Sequence, residues 1–224
     1  MNEQENKIEQ RSPEWFALRV GKATASRIHH IISRTKTGWG SKRADYASEL
    51  VIEKITGEKE LSFSSPEMQW GVDNEDAARD EYRKTTFEEV FEAGFVIHPS
   101  IPDSGASPDG YVGENGLIEI KCPKTSTHIE SLTKNVIKPE YHTQMQWQMA
   151  CTGRTWCDFI SYDPRLIKKP IWILRINRVD IQEDLDMVAS ELDKFIAKLD
   201  KYKSKICLIA NLLSPATIDG KSAR

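Results

Sequence analysis

The hydrophobic period of this 224-residue chain changes partway along its length, and that change limits the folds open to it. In the first third the apolar residues recur at helical spacing. Ser12-Pro13-Glu14 announces a first helix, an N-cap serine before a proline, which runs through Trp15, Phe16 and Leu18 and stops before Gly21. A second opens at Thr24 or Ser26 and carries Ile28, Ile31 and Ile32. A third runs from Ser41, with Ala44, Ala47, Leu50, Val51 and Ile55 on one stripe, to Gly57. A fourth follows Pro66 and reaches about Thr85. Beyond it the period falls to two, and strands are expected at Val90–Ile97, Leu117–Lys121, Thr155–Tyr162 and Ile171–Ile176. A helix from Pro139 to Cys151 separates the second of these from the third. A last helix opens at Asp180, with Glu183 as its capping-box partner, and carries Leu185, Val188, Leu192, Phe195, Ile196 and Leu199. Helices first, then strands with helices interleaved, fit an α/β (α+β) fold with a central mixed sheet flanked by helices. The length suits one domain over 1–224, with 1–10 and 217–224 as loose tails.

Composition removes several classes of function. Hydrophobic residues make up 39% of the chain and charged residues 29%, which excludes a disordered or fibrous protein. Apolar runs such as Ile206–Leu213 fall well short of the ~20 residues of a bilayer crossing, so no membrane partner is expected. The polar N-terminus lacks the apolar region of a secretory signal, and a cytoplasmic protein is expected. Cys122, Cys151, Cys157 and Cys207 form neither a CxxC nor a zinc-spaced cluster, and read as reduced thiols. The five histidines make no metalloprotease motif, and there is no nucleophile elbow, Walker loop or dinucleotide fingerprint. With 31 Lys+Arg against 34 Asp+Glu the net charge is −3, so any positive charge meant for DNA must be local.

The stretch richest in chemistry is Ser107-Pro108-Asp109-Gly110, followed nine residues later by Glu119-Ile120-Lys121. On a strand Glu119 and Lys121 share a face, while Ile118 and Ile120 point into the core. Asp109, in a turn fixed by its neighbours, comes alongside. Two carboxylates held together repel unless a cation lies between them, and hard oxygen ligands with open water positions suit Mg²⁺. A lysine beside such a metal orients or deprotonates water, while the metal stabilises charge developing on a phosphate. The spacing alone is a weak signal, because a solvated strand face with a surface ion pair gives the same pattern. The remaining candidates also have plainer explanations. Glu75 reads as one acid among Asp73, Asp76, Asp80 and Glu81 on the fourth helix. Arg19, Thr24 and Ser26 read as a phosphate cradle or as helix capping. Gln144 and Gln148 share a helical face with Cys151 that reads as polar surface.

Five ordered motifs decide between these readings. They are Trp15-x-x-Leu18-Arg19-x-Gly21-x-x-Thr24-Ala25-Ser26, Trp70-Gly71-x-x-x-Glu75-x-x-Ala78-Arg79, Ser107-Pro108-Asp109-Gly110, Glu119-Ile120-Lys121-Cys122-Pro123 and Gln144-x-Gln146. In order and spacing, from about Arg11 to Tyr202, the chain resembles the phage lambda exonuclease (YqaJ-type viral recombinase) family. The resemblance implies a restriction-endonuclease-like PD-(D/E)xK core in a processive 5′-to-3′ exonuclease. Such an enzyme acts on double-stranded DNA with a 5′-phosphorylated end, releases mononucleotides and leaves a 3′ overhang. It implies a toroidal homotrimer, a phage or prophage gene in a bacterial host, and a single-strand annealing protein as partner. It further implies Mg²⁺ as cofactor, two ions with Mn²⁺ able to substitute. Asp109, Glu119 and the Ile120 carbonyl would hold metal, Glu75 would sit near the second ion, and Lys121 would position the attacking water.

By the same resemblance Arg19, Ser26, Ser107 and Gln144, with Thr24 beside them, match a 5′-phosphate pocket, and Met68 falls where an apolar wedge splits the terminal base pair. The sequence departs from the family at two DNA contacts. Lys36 stands where a basic contact is otherwise Arg, and Lys124 is the only basic residue left just after Glu-x-Lys-Cys-Pro. On the ring reading Arg19, Lys36, Lys42 and Arg43 are candidates for a basic channel inside an acidic exterior. Two alternatives share the motifs: an endonuclease of the restriction or junction-resolving type, and a non-catalytic DNA-end-binding module.

Overall fold

The computed structural model describes residues 8–59 and 65–213, and of 209–213 the backbone alone. In chain order its elements are α1 (Pro13–Arg19), β1 (Ala23–Thr24), α2 (Ile28–Ile32), β2 (Arg34–Thr35), β3 (Gly38–Trp39), α3 (Ser41–Thr56), α4 (Pro66–Thr86), β4 (Val90–Phe91), β5 (Val96–Ile97), β6 (Ser104–Ala106), β7 (Gly110–Val112), β8 (Gly116–Lys121), α5 (Thr125–Lys134), α6 (Pro139–Thr152), β9 (Trp156–Tyr162), β10 (Ile171–Asn177) and α7 (Gln182–Leu213). The predicted central mixed sheet is present, five strands in the order β10-β9-β8-β7-β4. Within this sheet only β8 and β9 run parallel, with Glu119 beside Phe159 and Lys121 beside Ser161. The crossover between them carries α5 and α6, the covered connection that a parallel pair requires.

Alternation on the central strands divides the core in two. Leu117, Cys157 and Phe159 pack with α2, α3, α6 and α7 in the larger cluster. Ile118, Ile120 and Ile160 pack with Ala78 and Tyr82 of α4 on the opposite face. Both faces of β8 are therefore covered. That revises the expectation that only Ile118 and Ile120 point inward: Glu119 faces the larger cluster and is fully buried.

Several sequence expectations need correction. The run Val90–Ile97 is two strands in two sheets, β4 pairing with β7 and β5 with β6. Its two-residue alternation fails at Phe95 and Val96, which are both buried, and there the chain leaves one sheet for the other. β5 and β6 continue to β1 in a separate three-stranded sheet, so the fold has more than one sheet. The last α-helix opens at Gln182 after a 3₁₀ turn over Arg178–Ile181, because Asp180 accepts a hydrogen bond from Asn177 (3.1 Å) instead of capping. α5 was not expected at all. Of the tail assigned to 1–10, residues 1–7 lie outside the described residues, and Gln10 is tied down, donating to the carbonyls of Ala93 (2.7 Å) and Pro108 (2.8 Å). The tail at 217–224 lies outside the described residues. All four cysteines are free thiols: Cys151 and Cys157 buried, Cys122 half-buried, and Cys207 exposed on α7.

Candidate active site

Asp109 enters the site from the turn before β7. Its N–H donates to the Ile118 carbonyl (3.1 Å) and its Oδ2 accepts from the Ile120 N–H (2.6 Å), so the turn is tied to β8 at both ends. Two residues along β8 on either side of Ile120, Glu119 and Lys121 form an ion pair through Oε1 and Nζ. Glu119 Oε2 accepts from Gln148 Nε2 (2.5 Å) on α6. Glu75 joins through Arg79, whose Nη2 donates both to Glu75 Oε1 (3.0 Å) and to the Asp109 carbonyl (3.2 Å). Arg11 pairs with the other Glu75 oxygen. Glu75 is thus locked by two arginines rather than left among solvated acids on α4.

The electrostatics follow from this packing. Burial, Glu119 and Glu75 together hold the Asp109 carboxyl well above the usual carboxylate range, against a smaller pull from Lys121. At Lys121 burial lowers the ammonium pKa, but Glu119 and Asp109 more than reverse it, and the amine is held protonated. Its nitrogen lies 5.2 Å from the Tyr141 ring centre.

These groups form the floor of a cleft of about 890 Å³. Asp109, Ile120, Lys121, Glu75, Ser26, Met68, Lys124 and Gln144 all line it, and eight of the expected residues therefore share one space. Glu119 lies directly beneath, covered by Lys121. Met68, one of the lining residues, is 57% exposed. Lys124 pairs with Glu67 (3.2 Å).

Three expected residues, Arg19, Ser107 and Thr24, do not line the cleft. Arg19 lies with its guanidinium 3.9 Å from the Trp15 ring centre and donates to Ser107 Oγ (3.2 Å), which also accepts from Trp15 Nε1 (2.9 Å). Burial lowers the Arg19 pKa to about 10 against the pull of Tyr46 and Glu53, and its buried Nε has no partner among the described residues. Thr24 Oγ1 meets Ser26 Oγ at 3.5 Å, and neither hydroxyl caps the turn that follows, which removes the capping explanation. Lys36 is the residue the structure does not bring in, since it sits at the exposed tip of the β2–β3 hairpin. Lys42 and Arg43, at the start of α3, do not line the cleft either.

Sequence reasoning missed Arg11, Tyr141, Arg165 and Gln148. Arg165 lines the cleft with its guanidinium 4.5 Å from the Trp70 ring centre and is held by Asp163 (2.7 Å). Gln148 was read as polar surface and is fully buried. Its four-residue offset from Gln144 was the available signal.

The donor set fits a hard divalent cation that keeps water. Among the described residues no three His, Cys, Asp or Glu side chains converge into a complete ligand set. The two carboxylates and the Ile120 carbonyl leave several positions to solvent, the arrangement Mg²⁺ favours. Asp109 Oδ1 has no hydrogen-bond partner among the described residues, and the mutual repulsion of Asp109, Glu119 and Glu75 is what such a cation relieves.

Comparison with known proteins places the chain in a family. A model of the YqaJ-like viral recombinase domain matches residues 14–155. The structure is similar to that of an alkaline exonuclease, LHK-Exo, from Laribacter hongkongensis, at 44% identity and TM-score 0.83, over 91% of this chain and 100% of that one. The complex of LHK-Exo with dAMP matches at 44% identity and TM-score 0.78, over 88% and 100%. A phage-related exonuclease from Haemophilus somnus 129PT shares the fold at 16% identity, TM-score 0.63, over 83% and 96%. No curated protein matches the sequence closely enough to add to this.

Proposed function

The chain belongs to the YqaJ-like viral recombinase family, and on that premise we propose that it is a Mg²⁺-dependent exonuclease. It digests the 5′-ended strand of duplex DNA into mononucleotides and leaves a 3′ overhang. The observation that carries the reading is the Asp109, Glu119 and Lys121 cluster at the floor of a cleft whose walls hold Ser26, Gln144 and Met68. The likeness at 44% identity to an alkaline exonuclease, and to its complex with a mononucleotide, supports it further.

In this reading Asp109, Glu119 and the Ile120 carbonyl would hold Mg²⁺, and Glu75 would stand near a second ion. When bound, the metal supplies Lewis acidity to the scissile phosphate and lowers the pKa of water. Lys121, held protonated beside Glu119, would orient the attacking water. Ser26 and Gln144 present a hydroxyl and an amide to the 5′-phosphate. Arg19 backs them with a guanidinium fixed by Trp15 and Ser107, its Nε still unpaired. Ser107 is two residues from Asp109, so the phosphate pocket and the metal floor share one turn. Met68 enters the terminal base step, and unstacking it costs a few kcal/mol. We also propose a ring-shaped homotrimer in a bacterial host cell, with a single-strand annealing protein taking the exposed strand.

The test is digestion of linear duplex labelled on one strand, bearing 5′-phosphate or 5′-hydroxyl ends, with Mg²⁺ or EDTA and a closed circle as control. Mononucleotides from the 5′ end, only with metal and only from linear DNA, are the expected result. Cutting of the circle moves the protein to the endonucleases, and no cleavage at all removes the nuclease reading.

A further inference from the structure

We propose that Gln148 is a positioning residue that sets the orientation of Glu119 and thereby the affinity of the site for a divalent cation. The proposal rests on the metal-dependent reading of the site and adds to it a residue beyond the recognised motifs.

The observations converge from both sides of the Gln148 amide. Its Nε2 donates to Glu119 Oε2 at 2.5 Å, and its Oε1 accepts from Cys157 Sγ at 3.9 Å, a thiol that is itself fully buried. A carboxylate oxygen accepts, so the NH₂ end of the amide faces Glu119, and the weak sulfur contact on Oε1 agrees with that assignment. Gln148 and Glu119 are both wholly buried, so no water competes for that bond. A carboxylate taken out of water is retained only where donors meet it. Glu119 has one donor on each oxygen, Lys121 on Oε1 and Gln148 on Oε2. The division has a direction. Lys121 lines the cleft, so Oε1 is the oxygen turned toward it, while Gln148 retains Oε2 on the side of α6. If Lys121 leaves Glu119, Gln148 is the donor that remains, and the carboxylate keeps its rotamer. Gln144 lies one turn earlier on α6 and lines the cleft, so one helical stripe reaches both the phosphate wall and the carboxylate beneath the floor.

Groups that hold a metal ligand in place this way typically contribute ~10–100-fold to metal affinity or activity. The test uses the full chain and the variants Gln148→Met, Gln148→Asn and Gln146→Met. Methionine keeps length without a donor, and asparagine keeps the amide but draws it back by one methylene. Gln146 is the control: equally buried on α6, it donates to Asp184 (3.3 Å) and does not touch Glu119. Mn²⁺ binding by calorimetry without DNA, the Mg²⁺ concentration for half-maximal cleavage, the 5′-phosphate preference and the thermal midpoint are each measured.

The expected result is ~10–100-fold weaker Mn²⁺ binding and a matching rise in the Mg²⁺ requirement for both Gln148 variants. Phosphate preference stays unchanged, and Gln146→Met binds metal as wild type does, whatever its thermal midpoint. Gln148→Asn carries the test if Gln148→Met does not fold. Wild-type Mn²⁺ affinity in a folded Gln148 variant overturns the proposal, as does an equal loss in Gln146→Met. A wild-type chain that binds Mn²⁺ and cuts no DNA overturns the nuclease reading and leaves this one standing. A wild-type chain that binds no Mn²⁺ overturns both.

Discussion

Asp109 must carry a negative charge where burial, Glu119 and Glu75 all oppose it. In the metal-free chain the folded state therefore holds a proton on Asp109 at pH values where the unfolded chain has released it. The difference begins near 3.8 and extends to the raised folded value, and stability falls as pH rises through that window. Asp109→Asn removes the cost while its side-chain carbonyl still accepts from the Ile120 N–H. In EDTA at pH 8 this variant is expected to melt above wild type, with the gap closing toward pH 4, and to cleave nothing. Equal melting temperatures at pH 8 would show that Asp109 carries no such strain. Lys121→Ala leaves both carboxylates in place, so metal binding persists while cleavage falls on the order of 10²–10⁴-fold. Arg19→Ala leaves the metal floor intact and is expected to bring the rate ratio of phosphorylated to hydroxyl ends close to one. A wild-type ratio in that variant removes Arg19 from the phosphate pocket.

The elements place these residues through a few close approaches. β8 opens at Gly116, where a Cβ would lie 2.1 Å from Trp156 Cζ2. The Trp156 ring is in turn covered by the Arg175 guanidinium at 3.6 Å. Gly116→Ala must displace that stack or shift the strand carrying Glu119 and Lys121. It is expected to cost about 1–3 kcal/mol in urea unfolding. The helices with strong punctuation were legible in advance, for example α1 between Ser12 and Gly21 and α3 between Ser41 and Gly57, because caps and stripes are local. α5 was not, since its Thr-Ser-Thr start forms no side-chain cap and its stop at Asn135 needs a left-handed backbone. The same contrast divides the site. Asp109, Glu119 and Lys121 are close in sequence, so spacing nominates them and the ordered motifs around them decide. Arg11 meets Glu75 across 64 positions and Gln148 meets Glu119 across 29, and no period marks such pairs.

The whole molecule carries a charge of −3, and several of its cations, Arg79 and Arg165 among them, are held in ion pairs. A chain with no excess of positive charge gains little duplex affinity from its overall field, and the proposed ring would supply the hold by enclosure. Light scattering is expected to give three times the 25.6 kDa chain mass, and a monomer with and without DNA overturns the ring. The cysteines have a practical consequence at the same scale. Burial, with Glu75 and Asp109 adding to it, pushes the Cys122 thiol up to about 12, and burial raises those of Cys151 and Cys157 as well. None of the three offers a thiolate near neutral pH. Cys207 alone is exposed, on α7 and outside the cleft. A maleimide dye therefore attaches once per chain without mutagenesis, and the native protein can be tethered or watched one molecule at a time.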